Sequence, residues 1–303
     1  MEIGIMIEAQ NGLTWKRWKK IAAAVEELGF FGLFRSDHFT NMSPPDKDSL
    51  ELWVSLTWLA SHTRRIKFGP LVSPISFRHP VMTARMASAV DDLSGGRLIL
   101  GLGAGWQERE HNSYGFDLLG LKERFDRFEE GLQLIKLLFE KEEHFDFTGT
   151  FYQVNQAIML PRPERKGGPP ILIGGIGKNR TLPLAVCYAD EWNSMFLCPN
   201  EFQILNHEMT KQLLTAGRDP GSLKRSMMTG LRYGKTHEEL NANLEIDHRS
   251  AGELRKRGII VGVGEEVKER LLELKNAGLE RIMLQWLDLD DIIGLTELAK
   301  EIL

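Results

Sequence analysis

Short apolar runs with strand character alternate with stretches of helical spacing along the chain, and this alternation limits the fold more than any other feature. The strand-like runs are Ile3–Ile7, Phe31–Phe34, Ile66–Val72, Leu98–Leu102, Ile171–Ile173, Glu191–Ser194, Met227–Tyr233 and Arg281–Leu287. Between the early ones, apolar residues recur at three-four spacing: Trp15, Trp18, Ala22, Val25 and Leu28, then Leu50 to Ala60, then Pro80 to Leu93 with a proline in its first turn. The longest stripe is Leu121, Phe125, Phe128, Leu132, Ile135 and Phe139, and shorter helices are expected at 182–188, 202–214, 265–277 and 292–303. Parallel strands need a crossover between them, so strand-then-helix repeated in this way makes a parallel sheet. The repeats predict an α/β fold, a closed (β/α)8 TIM barrel, as one domain over residues 1–303. Two segments interrupt the rhythm. Residues 142–163, with Phe145, Phe147, Phe151 and Tyr152 around Gly149, predict a hairpin insertion, and the charged stretch 236–257 fits either helical turns or a mobile lid.

Composition narrows the partners. With 42% hydrophobic residues in 303, the chain can bury a full core. A formal charge of −4 with interspersed signs offers no basic face, which argues against nucleic acid as the main partner. The start, MEIGIMIEAQ, lacks the basic opening and long apolar core of a signal peptide, and no window approaches the roughly 18 apolar residues of a membrane span. A cytoplasmic location without membrane contact is expected. Cys187 and Cys198 lack metal-ligand spacing and sit among apolar residues, so buried free thiols and no metal site are expected.

In a barrel of this kind the active face lies at the carboxyl ends of the strands. That brings together Asp37 and His38, Ser73 to His79, Gly103 to His111, Gly174 to Gly177, Trp192 to Ser194 and Gln285 to Asp288. Gly101, Gly103 and Gly105 are too evenly spaced for the dinucleotide fingerprint. They leave a strand with a bare end, where backbone can approach a ligand and N–H groups can face an anion. Gly174-Gly175-Ile176-Gly177 forms a second bare turn, with Lys178 and Arg180 near enough to add charge beside a bound anion. His38 is the candidate for proton transfer, with Asp37 or another carboxylate to orient it. The structural alternatives are a histidine bonded to a neighbouring carbonyl and an aspartate capping a turn. Asp91, Asp92 and Arg97 read as ordinary ion pairing, and Arg124, Arg127 and Glu130 as the outer face of the long helix. Its apolar stripe fits either a core face or a homodimer contact.

Five blocks in order carry a resemblance: Ser36-Asp37-His38-Phe39, Ser73-Pro74-Ile75-Ser76-Phe77-Arg78-His79-Pro80, Gly101-Leu102-Gly103-Ala104-Gly105-Trp106, Lys122-Glu123-Arg124-Phe125 and Ile173-Gly174-Gly175. They resemble the bacterial luciferase-like flavin oxidoreductases, most of all the branch that uses the deazaflavin coenzyme F420. The likeness runs from Ile3 to about Trp192, with a weaker echo from Val261 to Gln285. It implies a flavin or deazaflavin across the strand ends, its phosphate held by backbone at Ala104, Gly105, Gly174, Gly175, Ile176 and Gly177. It also implies a non-proline cis peptide on the third strand, which aligns to the bond between Pro70 and Leu71, with Gly69–Pro70 as the alternative one residue earlier. A homodimer is usual in the family. Sugar-phosphate-oxidising relatives carry a carboxylate just after the first glycine turn, where this chain has Trp106. That counts against such a substrate, and Trp106 reads instead as a stacking wall, with Glu108, Glu110 and His111 close enough to reach the site.

The activity this implies is hydride transfer between F420 and a small organic substrate such as an alcohol or activated alkene, with His38 carrying the proton. Two rivals are an FMN-dependent monooxygenase using reduced flavin and dioxygen, and a barrel that binds flavin without catalysis.

Overall fold

The alternation closes into a ring. The computed structural model describes the backbone of residues 1–303 and the side chains of residues 1–245 and 248–303. The first half contains β1 (Glu2–Ile7), α1 (Trp15–Leu28), β2 (Gly32–Arg35), α2 (Leu52–His62), β3 (Lys67–Pro70), β4 (Ser73–Pro74), α3 (Pro80–Leu93), β5 (Leu100–Gly103), α4 (Glu108–Tyr114) and α5 (Leu121–Glu140). Next come β6 (Phe145–Thr148), β7 (Gln153–Ala157), β8 (Ile171–Gly174), α6 (Thr181–Tyr188), β9 (Glu191–Met195) and α7 (Pro199–Thr215). The chain ends with β10 (Lys224–Tyr233), α8 (His237–Asp247), α9 (Ala251–Lys256), β11 (Ile260–Gly262), α10 (Gly264–Asn276), β12 (Arg281–Gln285) and α11 (Ile292–Ile302).

The strands run in the order β3-β2-β1-β12-β10-β9-β8-β5-β4, each parallel to its neighbour. The seam is shut by backbone bonds, Phe68 N–H to the Arg97 carbonyl at 3.2 Å and Ile99 N–H to the Phe68 carbonyl at 2.8 Å. Since β3 and β4 are two halves of one broken stave, the ring has the eight staves expected of the barrel. The seam is tight: an added Cβ on Gly69 would lie 1.9 Å from the Ile99 carbonyl oxygen, and one on Gly101 2.1 Å from that of Pro70. Only glycine fits there.

Inside the ring, Met6, Phe34, Leu71, Ile99, Leu172, Met228 and Met283 form a plug, and the larger core fills the layer between strands and helices. Most of the α5 stripe belongs to that layer: Phe128, Leu132, Ile135 and Phe139 are buried within the same chain, whereas Leu121 at its start is exposed beside the cavity. At the amino-terminal end of the ring, Arg281 pairs with Glu2 and Glu191.

Several details differ from the sequence reading. The non-proline cis bond joins Leu71 to Val72, one residue beyond the Pro70–Leu71 position. Leu71 N–H still donates to the Arg35 carbonyl at 2.7 Å, so the ladder with β2 continues through Leu71 and the stave breaks only after it. Arg97 does not pair with Asp91 or Asp92. Asp91 meets Arg165 instead, and Arg97 donates to carbonyls. Neither cysteine is buried: Cys187 is exposed and Cys198 half-buried, both as free thiols. The hairpin is present as antiparallel β6 and β7, its turn N–H groups at Thr150, Phe151 and Tyr152 all donating to the Glu130 carboxylate. The charged stretch forms two helices capped by Thr236 and Ser250, with Leu240, Leu244, Leu254 and Val261 packed beneath. Strand β11, unread in the sequence, extends the far end of β10.

Candidate active site

A cavity of about 660 Å³ opens at the carboxyl ends of the strands. Its floor is the upper surface of the interior plug at Met6, Leu71 and Met228, and its walls are the loops that follow β2, β5, β8 and β9. This is a volume suited to an organic cofactor or substrate.

His38 enters it from the loop after β2. Its Nδ1 lies 2.6 Å from Glu110 Oε1, and the other carboxylate oxygen of Glu110 accepts the Phe39 N–H at 3.0 Å. Glu110 is buried, so the carboxylate is held by these two bonds alone among the described residues. Burial by itself would lower the His38 pKa. The hydrogen bond and charge of Glu110, with the charges of Glu8 and Asp37, outweigh that and raise it above the ordinary value. Nδ1 donates to Glu110, and Nε2 has no protein partner among the described residues. The indole of Trp106 stands edge-on to the ring, centroids 5.5 Å apart.

Asp37 does not take the orienting part expected of it. Ser73 Oγ and the Arg78 guanidinium occupy its carboxylate, at 2.7 Å and 3.2 Å for Ser73 and Arg78 Nη2, and Arg78 also reaches Glu51. The two glycine turns follow neighbouring strands, β5 and β8, at the same end of the ring. Ala104, Gly105, Trp106, Gly174 and Gly175 line the cavity, as does Leu71, whereas Pro70 stays in its strand and Ile176 and Gly177 lie just outside. Gly105 and Gly175 have φ of +86° and +134°, which favour glycine. Among the described residues, the N–H groups of Ile176 and Gly177 have no acceptor in the protein. A propped pair stands behind the first turn: His111 Nδ1 donates to the Gln107 carbonyl at 2.7 Å, and Ser76 Oγ donates to His111 Nε2 at 2.8 Å.

Further residues complete the cavity, among them Asn193, expected on this rim, and Glu8 and Phe196, which the sequence did not single out. Glu8, at the end of β1, accepts from Gln10 Nε2 at 2.9 Å and Gln285 Nε2 at 2.7 Å, one on each oxygen. Asn193 donates to Ser226 at 2.9 Å. Arg124 comes from α5, the face read as outward, and donates from Nη1 to the Gly105 carbonyl at 2.9 Å. Phe196 holds a left-handed φ of +51° on the rim, its N–H bonded to the Met228 carbonyl. Arg180, expected beside the phosphate site, turns outward toward Asp126 at 3.4 Å, and Lys178 is exposed.

A family model described as luciferase-like monooxygenase matches residues 1–253. The chain belongs to the luciferase-like monooxygenase family. Among its relatives is an F420-dependent hydroxymycolic acid dehydrogenase of Mycobacterium tuberculosis, 31% identical over 223 residues that make up 73% of this chain and 60% of the relative. Another is an F420-dependent glucose-6-phosphate dehydrogenase of Kineococcus radiotolerans, 27% identical over 219 residues, 70% of this chain and 62% of the relative. The match thus spans about three-fifths of the length of these relatives. The solved structure of an F420-dependent secondary alcohol dehydrogenase with an F420-acetone adduct superposes over 100% of this chain and 98% of its own, with a TM-score of 0.84 at 17% identity. That likeness is one of fold, and it places this luciferase-like barrel among closed rings of the same build.

Proposed function

We propose that this chain is an oxidoreductase that transfers hydride between a bound deazaflavin, F420, and a small organic substrate, with His38 holding the accompanying proton. The observation that carries this reading is the His38–Glu110 pair, a histidine oriented by a buried carboxylate in the wall of a cavity whose opposite side is bare backbone.

The residues present fit such a coenzyme. The cavity is large enough for a tricyclic ring, the side chains that a Cβ at Gly103 or Gly174 would meet belong to Val72, and N–H groups at Ile176 and Gly177 have capacity to spare. When bound, the coenzyme supplies the hydride chemistry. Backbone at Ala104, Gly105 and Gly174 to Gly177 would hold its phosphate, while Leu71, Val72 and Trp106 would flank the ring. Glu110 fixes the tautomer of His38 and keeps its proton available at the cavity. With Nδ1 on Glu110 and Nε2 without a protein partner among the described residues, His38 is placed to give or take the proton that accompanies hydride transfer. Met195, Phe196 and Met228 make the substrate side apolar, in keeping with a compact organic molecule. The relatives named as F420-dependent support the coenzyme assignment. No helix among the described residues is long and apolar enough to cross a membrane, and a cytoplasmic enzyme, paired as a homodimer on the family resemblance, is the form we propose.

Fluorescence titration with F420 and FMN tests the coenzyme directly. Selective binding of F420 followed by turnover of alkene or alcohol substrates is expected. Binding of FMN alone with oxygen consumption would make the chain a monooxygenase, and binding without any turnover would make it a flavin-holding barrel.

A further inference from the structure

Every fully buried carboxylate among the described residues is met by a basic side chain. Asp37 has Arg78, Asp91 has Arg165, Glu191 has Arg281, and Glu110 has the imidazole of His38. Glu8 departs from this pattern. It stands half-buried in the cavity wall at the end of β1, with no lysine, arginine or histidine within ion-pair reach among the described residues.

Neutral donors hold it instead. Gln285 Nε2 donates to one oxygen at 2.7 Å and Gln10 Nε2 to the other at 2.9 Å. The orientation of Gln10 is itself fixed: Ser36 Oγ accepts the Ala9 N–H and donates to Gln10 Oε1 at 2.7 Å, which turns the NH₂ of that amide toward Glu8. A carboxylate has about four acceptor sites, so this clamp fixes Glu8 and leaves sites open without neutralising its charge. That charge acts on His38, and both residues line the same cavity. Arg124, the guanidinium in the wall, is bonded to the Gly105 carbonyl at the first glycine turn. Met195, Phe196 and Met228 add apolar lining, against which a fixed charge is felt more strongly than in water.

We infer that the substrate is a compact organic cation whose protonated nitrogen sits against Glu8, and that the bond reduced is the C=N of a cyclic imine. The inference rests on the coenzyme reading above and narrows its substrate. A carboxylate beside the nitrogen favours the protonated form, and protonation is what makes the imine carbon a good hydride acceptor, so one side chain serves recognition and activation together. In the reaction, hydride forms the new C–H bond at that carbon and the C=N π pair becomes a lone pair on nitrogen. The nitrogen then takes, as a proton, the second hydrogen given up by the reduced coenzyme. The substrate is reduced and the coenzyme oxidised by two electrons each, and the net charge is unchanged.

Two pairs of compounds test this. Piperidine, a cation at neutral pH, and tetrahydropyran, its uncharged isostere, are titrated by calorimetry into protein loaded with oxidised F420. Methylpyrroline, a cyclic imine, and cyclohexenone, a neutral activated alkene, are compared by kcat/KM with reduced F420. The parent should bind piperidine about 10- to 100-fold more tightly than tetrahydropyran, and Glu8→Gln should remove that preference while leaving tetrahydropyran where it was. The same variant should lose about 10- to 100-fold more kcat/KM on methylpyrroline than on cyclohexenone, a difference that a shifted His38 pKa, common to both substrates, does not produce. Thermal melts check folding, and should Glu8→Gln fail to fold, Glu8→Asp, which draws the charge back by one methylene, should show a partial loss of the preference. A parent indifferent to the charge, or a preference undiminished in Glu8→Gln, would overturn the inference. Equal losses on both members of each pair would overturn it too, because the carboxylate would then only shape the cavity. Turnover of cyclohexenone without methylpyrroline sinks this substrate class alone, whereas a parent that binds no coenzyme sinks the oxidoreductase reading with it.

Discussion

The two ends of β5 use the same chemistry for opposite purposes. Below the strand, Arg97 places its guanidinium donors on the Ser94, Thr63, Ile66 and Ala60 carbonyls and the Thr63 hydroxyl, at 2.6 to 3.1 Å. Every donor is used, and the residue ties the end of α2 to the barrel seam. Above the strand, Arg124 spends one donor on Gly105, and His38 keeps an unpartnered Nε2 beside the same turn. Saturated polar groups hold a fold together; groups with spare capacity wait for a ligand.

His38→Ala should show the largest effect on activity, lowering turnover about 10²- to 10⁴-fold while coenzyme affinity holds and the melting temperature falls by less than in Arg97→Met. A matching drop in stability would blur the line between the two ends. Arg97→Met should do the reverse. Stranding several buried carbonyls is expected to cost about 3 to 5 kcal/mol in urea unfolding, with the coenzyme affinity of the folded fraction unchanged.

Glu110→Gln sharpens the comparison through pH. His38 has a raised pKa in the folded chain, so its contribution to stability is complete below the ordinary value near 6.5 and fades as pH rises through the folded value. Removing the Glu110 charge should move that fading to lower pH, together with the limb of the rate profile that His38 sets, as read by NMR titration of the imidazole and by unfolding at a series of pH values. Glu8→Gln should shift both the same way by less, because Glu8 acts on His38 through space without a bond. An unmoved imidazole in Glu110→Gln would mean that the pair does not set the proton.

Much of this was legible in the sequence because barrel strands are buried on both faces and read as plain apolar runs. Helix α4 was not, since Glu110 and His111 face inward and are satisfied by hydrogen bonds, which leaves no apolar stripe to see. Arg124 was misplaced for a related reason. A charge opposite an apolar stripe reads as solvent-facing, and a cavity is invisible to that reading. Strand β11 has three residues and exists because β10 runs long enough to offer it an edge. Glu110 was expected within reach of the site, but which carboxylate would meet His38 was not legible, because the pair lies seventy-two positions apart and the neighbouring Asp37 offered itself first.

The seam at Gly69 and Gly101 bears on how such a barrel can be bred for new substrates. Libraries randomised at those codons will return only glycine, because a single methyl would strike a neighbouring carbonyl oxygen at 1.9 or 2.1 Å. Met195 and Phe196, each 37% exposed on the lip of the cavity, are under no such veto, and directed evolution should harvest its altered specificities there.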